Sequence, residues 1–561
     1  MSSDASQVFL IGCGPNASTP GPVEVMGSKA FNLARMARLG ITVPEAFTLG
    51  TRHCREFLAA GGKLSEETRA QIRSCTRHLE EASGLGFGSP RRPLLLSVRS
   101  GAPVSMPGML DTVLDVGLCD STLPGLLRLT GNARLAWDSY RRLVQSFAEV
   151  VQGVGAEAFA AAARDELQRS GTDRLDRLDF RGLRSLTTRF LDVYAEVVGA
   201  PFPQSPADQL DAAVAAVFAS WNSEKAVAYR RANHIRDDLG TAVTVQRMVL
   251  GNSGGNSGAG VAFTRDPATG ENSLYLDFAF NAQGEDVVSG RTVLEHGQDL
   301  ARRLPDVYCG LLALKEQLER EFRDAQEFEF TVQDGRLFVL QTRAAKRTSL
   351  AALRIAVEQL ETGLLSPAEA GCHLEGIDLA DIEIVHVTGS GGDVPLARGT
   401  AASIGVASGR IAMIPARAVE LALDGEPVLL VRDDIATSDI LAIHAAAGIL
   451  TARGGRTSHA AVVARQLGKA CIVGCADLRI DPGGRSCSIA GRTLHEGDHL
   501  CLDANTGAIF AGEPCITRER PVELLERLWR YLPHAAAPVG SDGGVISPQA
   551  LSDQAIGEFI Q

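Results

Sequence analysis

Residues 448–468, GILTARGGRTSHAAVVARQLG, constrain the chain more tightly than any other stretch. An apolar strand-like run ends at a Gly-Gly turn, and an alanine-rich helix begins close to Thr457, Ser458 and His459. That order predicts His459 in the first turn of the helix. There, free backbone N–H groups and the positive end of the helix dipole can hold phosphoryl oxygens. Arg453 and Arg456 stand close in sequence to pair the same charge. A neutral imidazole is a ready nucleophile near neutral pH, whereas a serine first needs a base. A Thr-Ser pair before a helix also reads as ordinary capping. The added Gly-Gly turn, two hydroxyls and two arginines favour a phosphorylated histidine.

The rest of the composition limits what such a histidine can serve. At 561 residues the chain has room for two to four folded units of roughly 150 residues each. The formal charge is -12, from 55 basic and 67 acidic residues, so no global positive field draws in nucleic acid or an anionic membrane. Phosphate binding must therefore be local. Only six of the basic residues are lysines, which makes Lys29 at a motif position more informative than an arginine. The eleven cysteines include no C-x-x-C pair and read as buried thiols of a reducing compartment. The start lacks a basic leader, and no run reaches about 18 apolar residues, so a cytoplasmic location is expected.

The texture of the chain changes three times. As far as Arg343, strand-like pieces (LLLSV, TAVTVQRMVL, FEFTV, LFVLQTR) mix with amphipathic helices such as LAWDSYRRLVQSFAEVVQGV, as in a large α/β or α+β domain. A helical pattern and a Gly-rich stretch, HVTGSGGDVPLARG, suit a linker and hinge near 390. Short strands (PVLLV, GILTA, HLCLD, GAIFA) then form a compact domain up to about 512. The 49 residues that follow are too few for a (β/α)8 barrel, which takes roughly 250.

A phosphorylated histidine needs a phosphoryl source, and the first 343 residues hold a dispersed set suited to ATP. Lys29 stands beside a glycine at a helix start in GSKAFNLARMARLG, and Arg99 ends an apolar strand before a Gly/Pro-rich loop in SVRSGAPVSMPGMLDTV. GNSGGNSGAGVAFTRDP, with Gly254, Gly258 and Gly260, reads as a loop whose backbone amides can approach a polyphosphate. It fits neither the Walker A nor the Rossmann spacing.

The segment EFEFTVQDGRLFVLQTR predicts a hairpin with Glu327 and Glu329 on one strand face and Phe328 and Phe330 on the other. A three-residue turn at Gln333, Asp334 and Gly335 would pair Glu327 with Gln341 and Phe328 with Leu340. A two-residue turn would set the glutamates opposite Leu340 and Thr342, so the three-residue register is expected. It makes a polar wall of Glu327, Glu329, Gln341 and Arg343, with carboxylates for Mg2+ and an arginine for the transferred phosphate. The bland reading of that wall is a solvated face with an ion pair.

TARGG-x-TSHAAVVAR resembles the phosphohistidine signature of the PEP-utilising enzymes, and specifically the pyruvate, phosphate dikinase family. Arg456 departs from it, since the family usually has methionine there. TGNARLAWDSYRR, DDLGTAVTVQRMVLGN, NAQGEDVVSG and EFEFTVQDGRLFVLQTR are similar to the same family's ATP-grasp domain. The family has aspartate where this chain has Glu327, and glutamate where it has Asp277.

The resemblance covers roughly residues 20 to 512. It implies an α/β and α+β multidomain fold, an ATP-grasp nucleotide-binding domain followed by a swivelling phosphohistidine β/α domain. The domains would be 1–343 with a helical insert at about 115–200, a linker and hinge over 344–394, the phosphohistidine domain over 395–512, and a tail over 513–561.

The resemblance also implies the site residues. Lys29, Arg99, Glu329, Gln341 and Arg343 bind nucleotide, Glu327, Glu329 and Gln341 hold Mg2+, and Arg99, Arg343 and His459 are catalytic. ATP would load His459 and leave as AMP, with inorganic phosphate as a second substrate. The onward acceptor would be a separate protein carrying a PEP/pyruvate domain, or a small molecule. Dikinases of small-molecule alcohols and a non-catalytic nucleotide-binding regulator are the alternatives. Thr457, two residues before the histidine, matches a regulatory phosphorylation site of some relatives, where added charge repels an incoming phosphate.

Overall fold

The computed structural model describes residues 7–104, 106, 109–288, 297–387, 394–435, 439–456, 458–481 and 483–532. The expected hinge near 390 and Thr457 lie outside the described residues. The chain divides into two compact units, Met1–Gly258 with Phe330–Arg343, and Ala259–Glu329 with Ala344–Gln561. Both mix helix and sheet, as the α/β and α+β reading requires.

Five strands build the sheet of the first unit: β1 (Val8–Ile11), β2 (Ala46–Leu49), β3 (Leu96–Gly101), β4 (Thr112–Val116) and β5 (Ala242–Arg247). They lie in the order β1-β2-β5-β3-β4, every neighbour antiparallel. Side chains alternate across a strand. One face therefore carries Phe47, Leu49, Val98, Val113, Val243 and Val245, all buried in the core. Helix α1 (Ser28–Arg38) belongs to this unit, as does a block of helices from Leu123 to Ala232 that includes α2 (Ala133–Gln152). Asn132 caps α2 by accepting from the Leu135 N–H, and ten of its residues are buried.

The chain continues through β6 (Gly258–Phe263), β7 (Tyr275–Phe280), β8 (Gln326–Gln333) and β9 (Arg336–Ala344). The turn between β8 and β9 corrects the sequence reading. It has two residues, Asp334 and Gly335, and both have positive φ, 51° and 79°. That is the I′ geometry, whose twist matches the flanking strands and which Asp-Gly adopts at little cost. Neighbouring residues fix it further. The Asp334 N–H donates to Ser257 Oγ at 2.9 Å and the Gly335 N–H to the Asn256 carbonyl at 2.8 Å. The three-residue register expected from polar and apolar face sorting therefore fails. Burial explains why the sorting misled: Glu327 is as buried as Phe328 and Phe330, so β8 has no solvated face at that point.

In the second unit, β10 (Ile384–Val387) precedes an eight-stranded sheet made by β11 (Ala397–Arg398), β12 (Thr400–Ala401), β13 (Val406–Ala412), β14 (Val428–Arg432), β15 (Gly448–Thr451), β16 (Ala470–Val473), β17 (His499–Asp503) and β18 (Ala508–Ala511). The order is β11-β18-β17-β13-β14-β15-β16-β12, with β13 to β16 parallel. Helix α3 (His459–Gln466) is the crossover between β15 and β16. One face of the sheet packs on the helices Pro415–Leu423, Ile440–Ala445 and α3, and the other on a three-stranded meander over 478–495.

Strand β19 (Ile516–Glu519) then pairs antiparallel with β10, so the entering and leaving chains of this domain run side by side. The helix Val522–Trp529 returns to the helix Ser349–Glu361. There Leu524, Leu525 and Leu528 join Leu353, Val357 and Leu360 in one core, and Arg527 makes a two-pronged pair with Glu361 at 2.7 and 2.9 Å. No described helix is long and apolar enough to cross a membrane.

Candidate functional site

The first unit carries four of the sequence-derived residues, Lys29, Arg99, Gln341 and Arg343, on α1, β3 and β9. Lys29 is the second residue of α1 and Arg99 lies two residues before the end of β3. The two elements meet backbone to backbone. Ser28 donates to the Ala102 carbonyl through its N–H at 3.1 Å and through Oγ at 3.2 Å. Gly27 has φ +75°, and a Cβ there would stand 1.8 Å from the Gly101 carbonyl oxygen. Only glycine fits both the dihedral and the approach. Asn32, one turn along α1, donates from Nδ2 to the Thr342 carbonyl at 3.1 Å, which seats α1 against the part of β9 that carries Gln341 and Arg343.

The sheet face around Arg99 is polar and was not recognised in the sequence. Thr48, Thr244, Arg99 and Thr112 stand in register across four strands. Thr48 and Thr244 share a hydrogen bond of 3.1 Å, and both are buried. Gln246 and Ser97 form the next row on the same face. The signal was present in VTVQ, residues 243–246, where apolar and polar residues alternate.

The glycine-rich segment is only partly a loop. Gly254 lies in the turn after β5, whereas Gly258 and Gly260 are buried within β6. Ser253 Oγ and Ser257 Oγ lie 2.7 Å apart, Ser253 donates to Asp334 Oδ1 at 3.2 Å, and Leu250 N–H donates to Gln333 Oε1 at 2.9 Å. The loop is thus tied to the hairpin turn, with Gly255 and Asn256 exposed at its tip.

Glu327 and Glu329 belong to the second unit. Glu327 is 5% exposed and Glu329 is half-buried. Carboxylate and amide oxygens are hard donors that suit Mg2+, which takes one or two carboxylates and completes its shell with phosphate and water oxygens.

In the same unit His459 is the first residue of α3, just past the carboxyl end of parallel strand β15. The carboxyl ends of parallel strands are where open α/β sheets present ligands. Ser458 is the N-cap and accepts from the Ala461 N–H at 3.4 Å. Gly454, with φ +98°, and Gly474, with φ +62°, let the turn approach the end of β16: a Cβ on Gly474 would stand 2.9 Å from the Gly454 carbonyl.

Arg453 and Arg456 are each engaged. Arg453 pairs with Asp433 at 3.2 Å, both largely exposed. The Arg456 guanidinium lies 4.4 Å from the centroid of the Tyr275 ring. Tyr275 is buried, which pushes its phenol up from the ordinary range, and its hydroxyl donates to the Ala401 carbonyl at 3.4 Å.

Beneath the stack, Arg465 is 1% exposed and donates from one guanidinium nitrogen to the carbonyls of Ala402 at 2.6 Å and Arg456 at 2.8 Å. Neither Arg465 nor Tyr275 was singled out in the sequence. A cation over an aromatic ring contributes about 0.5–2 kcal/mol. Arg456 Nε is buried without a hydrogen-bond partner among the described residues, a cost of about 1–3 kcal/mol. The two terms are comparable.

The AMP/ATP-binding domain of pyruvate phosphate dikinase matches residues 62–296, and the mobile domain of PEP-utilising enzymes matches residues 424–507. The pyruvate, phosphate dikinase of Clostridium symbiosum is 42% identical over 495 residues, 87% of this chain and 56% of that protein. That of Rhizobium meliloti (strain 1021) is 41% identical over 527 residues, 91% of this chain and 58% of that protein. The chloroplastic pyruvate, phosphate dikinase 1 of Arabidopsis thaliana is 40% identical over 512 residues, 91% of this chain and 53% of that protein. The chain spans a little over half the length of these relatives.

Proposed function

Since the chain belongs to the pyruvate, phosphate dikinase family through its nucleotide-binding and mobile domains, we propose that it is an ATP-dependent phosphotransferase that loads its own His459 and releases AMP. The observation that carries this reading is the gathering of Lys29, Arg99, Gln341 and Arg343 around the N-terminal half of α1, in a chain whose His459 opens a separate helix at a strand end.

In the proposed reaction a neutral imidazole nitrogen of His459 attacks the β-phosphorus of ATP. The bond from that phosphorus to the α–β bridging oxygen breaks, and AMP leaves with the electron pair. Inorganic phosphate then attacks the outer phosphorus of the pyrophosphoryl group, releasing pyrophosphate and leaving phosphohistidine. Lys29 and Arg99 bind the phosphates, and Arg343 pairs with the charge that develops on the transferred group. The turn at Gly254 approaches the nucleotide with its backbone, while Gly258 and Gly260 serve as strand positions where side chains would crowd it. Glu327 and Glu329 would hold Mg2+, which neutralises phosphate charge when bound. The two-residue turn sets Gln341 opposite Phe328, away from the carboxylates, so the three ligands expected from the sequence do not form one wall.

For the onward step the relatives' names give pyruvate and phosphate as the first substrates to try. The pyruvate would be presented by a separate protein with a PEP/pyruvate domain, and a small-molecule acceptor is the second class. Swivelling about the paired strands β10 and β19 would carry His459 between stations.

Incubation with Mg-ATP, with and without phosphate, tests the reading. AMP and pyrophosphate that depend on His459 and on phosphate are expected. ADP as the sole product would overturn it.

A further inference from the structure

We propose that Arg456 is a positioning residue for the loading of His459, acting through its stack on Tyr275. The inference rests on the reading of His459 as the phosphoryl acceptor. Tyr275 opens β7, in the segment of the nucleotide-binding half that belongs to the second unit. Arg456 lies three residues before His459, in the turn that delivers α3. The 4.4 Å contact therefore joins the histidine-bearing turn directly to that segment.

Two further bonds make the contact directional. The Tyr275 hydroxyl holds the Ala401 carbonyl, and Arg465 holds both the adjoining Ala402 carbonyl and the carbonyl of Arg456 itself. One ring and one buried guanidinium thus fix the backbone at 401–402 and at 456. A shift of Tyr275 is transmitted to the start of α3 without passing through the imidazole.

The surroundings distinguish this contact from permanent core. A cavity of about 370 Å³ opens beside the stack, lined among others by Asp266, Thr269, Ser273 and Ser403. Arg456 Nε and Ser403 Oγ are both buried and without hydrogen-bond partners among the described residues. Interiors built to stay closed are tightly packed and satisfy their polar groups. Here a favourable stack is set against an unpaired N–H, so the contact is weak enough to part after each loading. A cation over a ring tolerates such cycling, since it needs no single hydrogen-bond geometry.

The test is a double-mutant cycle on the full chain, read as the single-turnover rate of acid-labile labelling from ATP carrying label in its β-phosphate. Arg456→Met and Tyr275→Leu should each slow labelling about five-fold. The double variant should also be slowed about five-fold, rather than the about twenty-five-fold of independent effects. Affinity for a non-hydrolysable ATP analogue should stay at the wild-type value, which general damage to the fold would not allow. Tyr275→Phe keeps the ring under the guanidinium but loses the bond to the Ala401 carbonyl, and should be slowed less than Tyr275→Leu. If Arg456→Met does not fold, Arg456→Lys, which keeps a cation over the ring, replaces it and should be slowed less than Tyr275→Leu. Multiplicative effects, or unchanged rates in both single variants, would overturn the proposal. His459→Ala, run in parallel, separates the two ideas: label retained in that variant defeats the reading of His459 and not merely the role of Arg456.

Discussion

The end of the first unit that carries Lys29 and Arg99 and the histidine-bearing turn of the second are held by different kinds of contact. In the first, backbone meets backbone. Gly27 touches Gly101 at a distance no side chain tolerates, and Ser28 and Asn32 bond to main-chain carbonyls on two other elements. In the second, side chains do the holding: a cap from Ser458, a buried Arg465, and a guanidinium laid on a phenol ring. Backbone contacts leave little freedom and suit groups that keep a nucleotide in one pose. Side-chain stacks come apart and re-form, which suits a residue that travels.

This contrast can be broken most decisively at Gly27. Gly27→Ala forces both a Cβ clash and an unfavourable left-handed residue, and should cost more than about 3 kcal/mol of stability while abolishing ATP binding. Thermal melting and nucleotide titration measure both. A stable Gly27→Ala protein with normal ATP affinity would show that the close approach is not what places Lys29.

A second test sharpens the rigidity assigned to the first unit. Asp138 on α2 is buried, which raises its carboxyl, but the Arg141 and Arg142 guanidiniums outweigh burial and bring it from 3.8 to about 2. A carboxyl depressed in the folded state adds stability that is present above its unfolded value and is lost as pH falls through its folded value. Between pH about 4 and about 2 the unit should therefore lose about 2 kcal/mol. Urea unfolding followed by the fluorescence of Trp137 and Trp221 should show this loss, and Asp138→Asn should remove that pH dependence.

On the other side of the comparison, Ser458→Ala removes a cap and should cost about 1 kcal/mol. That is less than the Gly27 effect because the helix remains packed through Ala460, Ala461 and Ala464. The smallest effect belongs to Arg453, whose pair with Asp433 is exposed. Arg453→Ala should change stability by less than about 0.5 kcal/mol. A large loss there would mean that the turn is held more firmly than its contacts indicate.

The same contrast explains what the sequence disclosed. Local rules were enough where the structure is local: a Gly-Gly turn, a Ser cap and an alanine-rich run placed His459 at the first helical position. An apolar strand followed by Gly and Pro likewise placed Arg99 near the end of β3, two residues short of it. Features set by distant residues were not legible. The turn at Asp334 and Gly335 draws on Ser257 and Asn256, so sorting polar and apolar residues along one strand gave the wrong loop length. Gly258 and Gly260 looked like loop glycines and proved to be strand residues, because glycine in a β-strand and glycine in a turn have the same letter and different neighbours. Tyr275 carried no motif of its own, and Arg465 closes the TARGG-x-TSHAAVVAR signature with nothing local to mark its partners. Their roles come from meeting Arg456, 181 and 9 residues away in the chain.

The account stands on transfer of phosphate from ATP to His459, and mapping the label tests it most directly. After a single turnover with Mg-ATP labelled in the β-phosphate, proteolysis at neutral to alkaline pH should yield one acid-labile phosphopeptide containing His459, and none from His459→Ala. Label that survives acid, label on any other peptide, or undiminished label in His459→Ala would contradict the account.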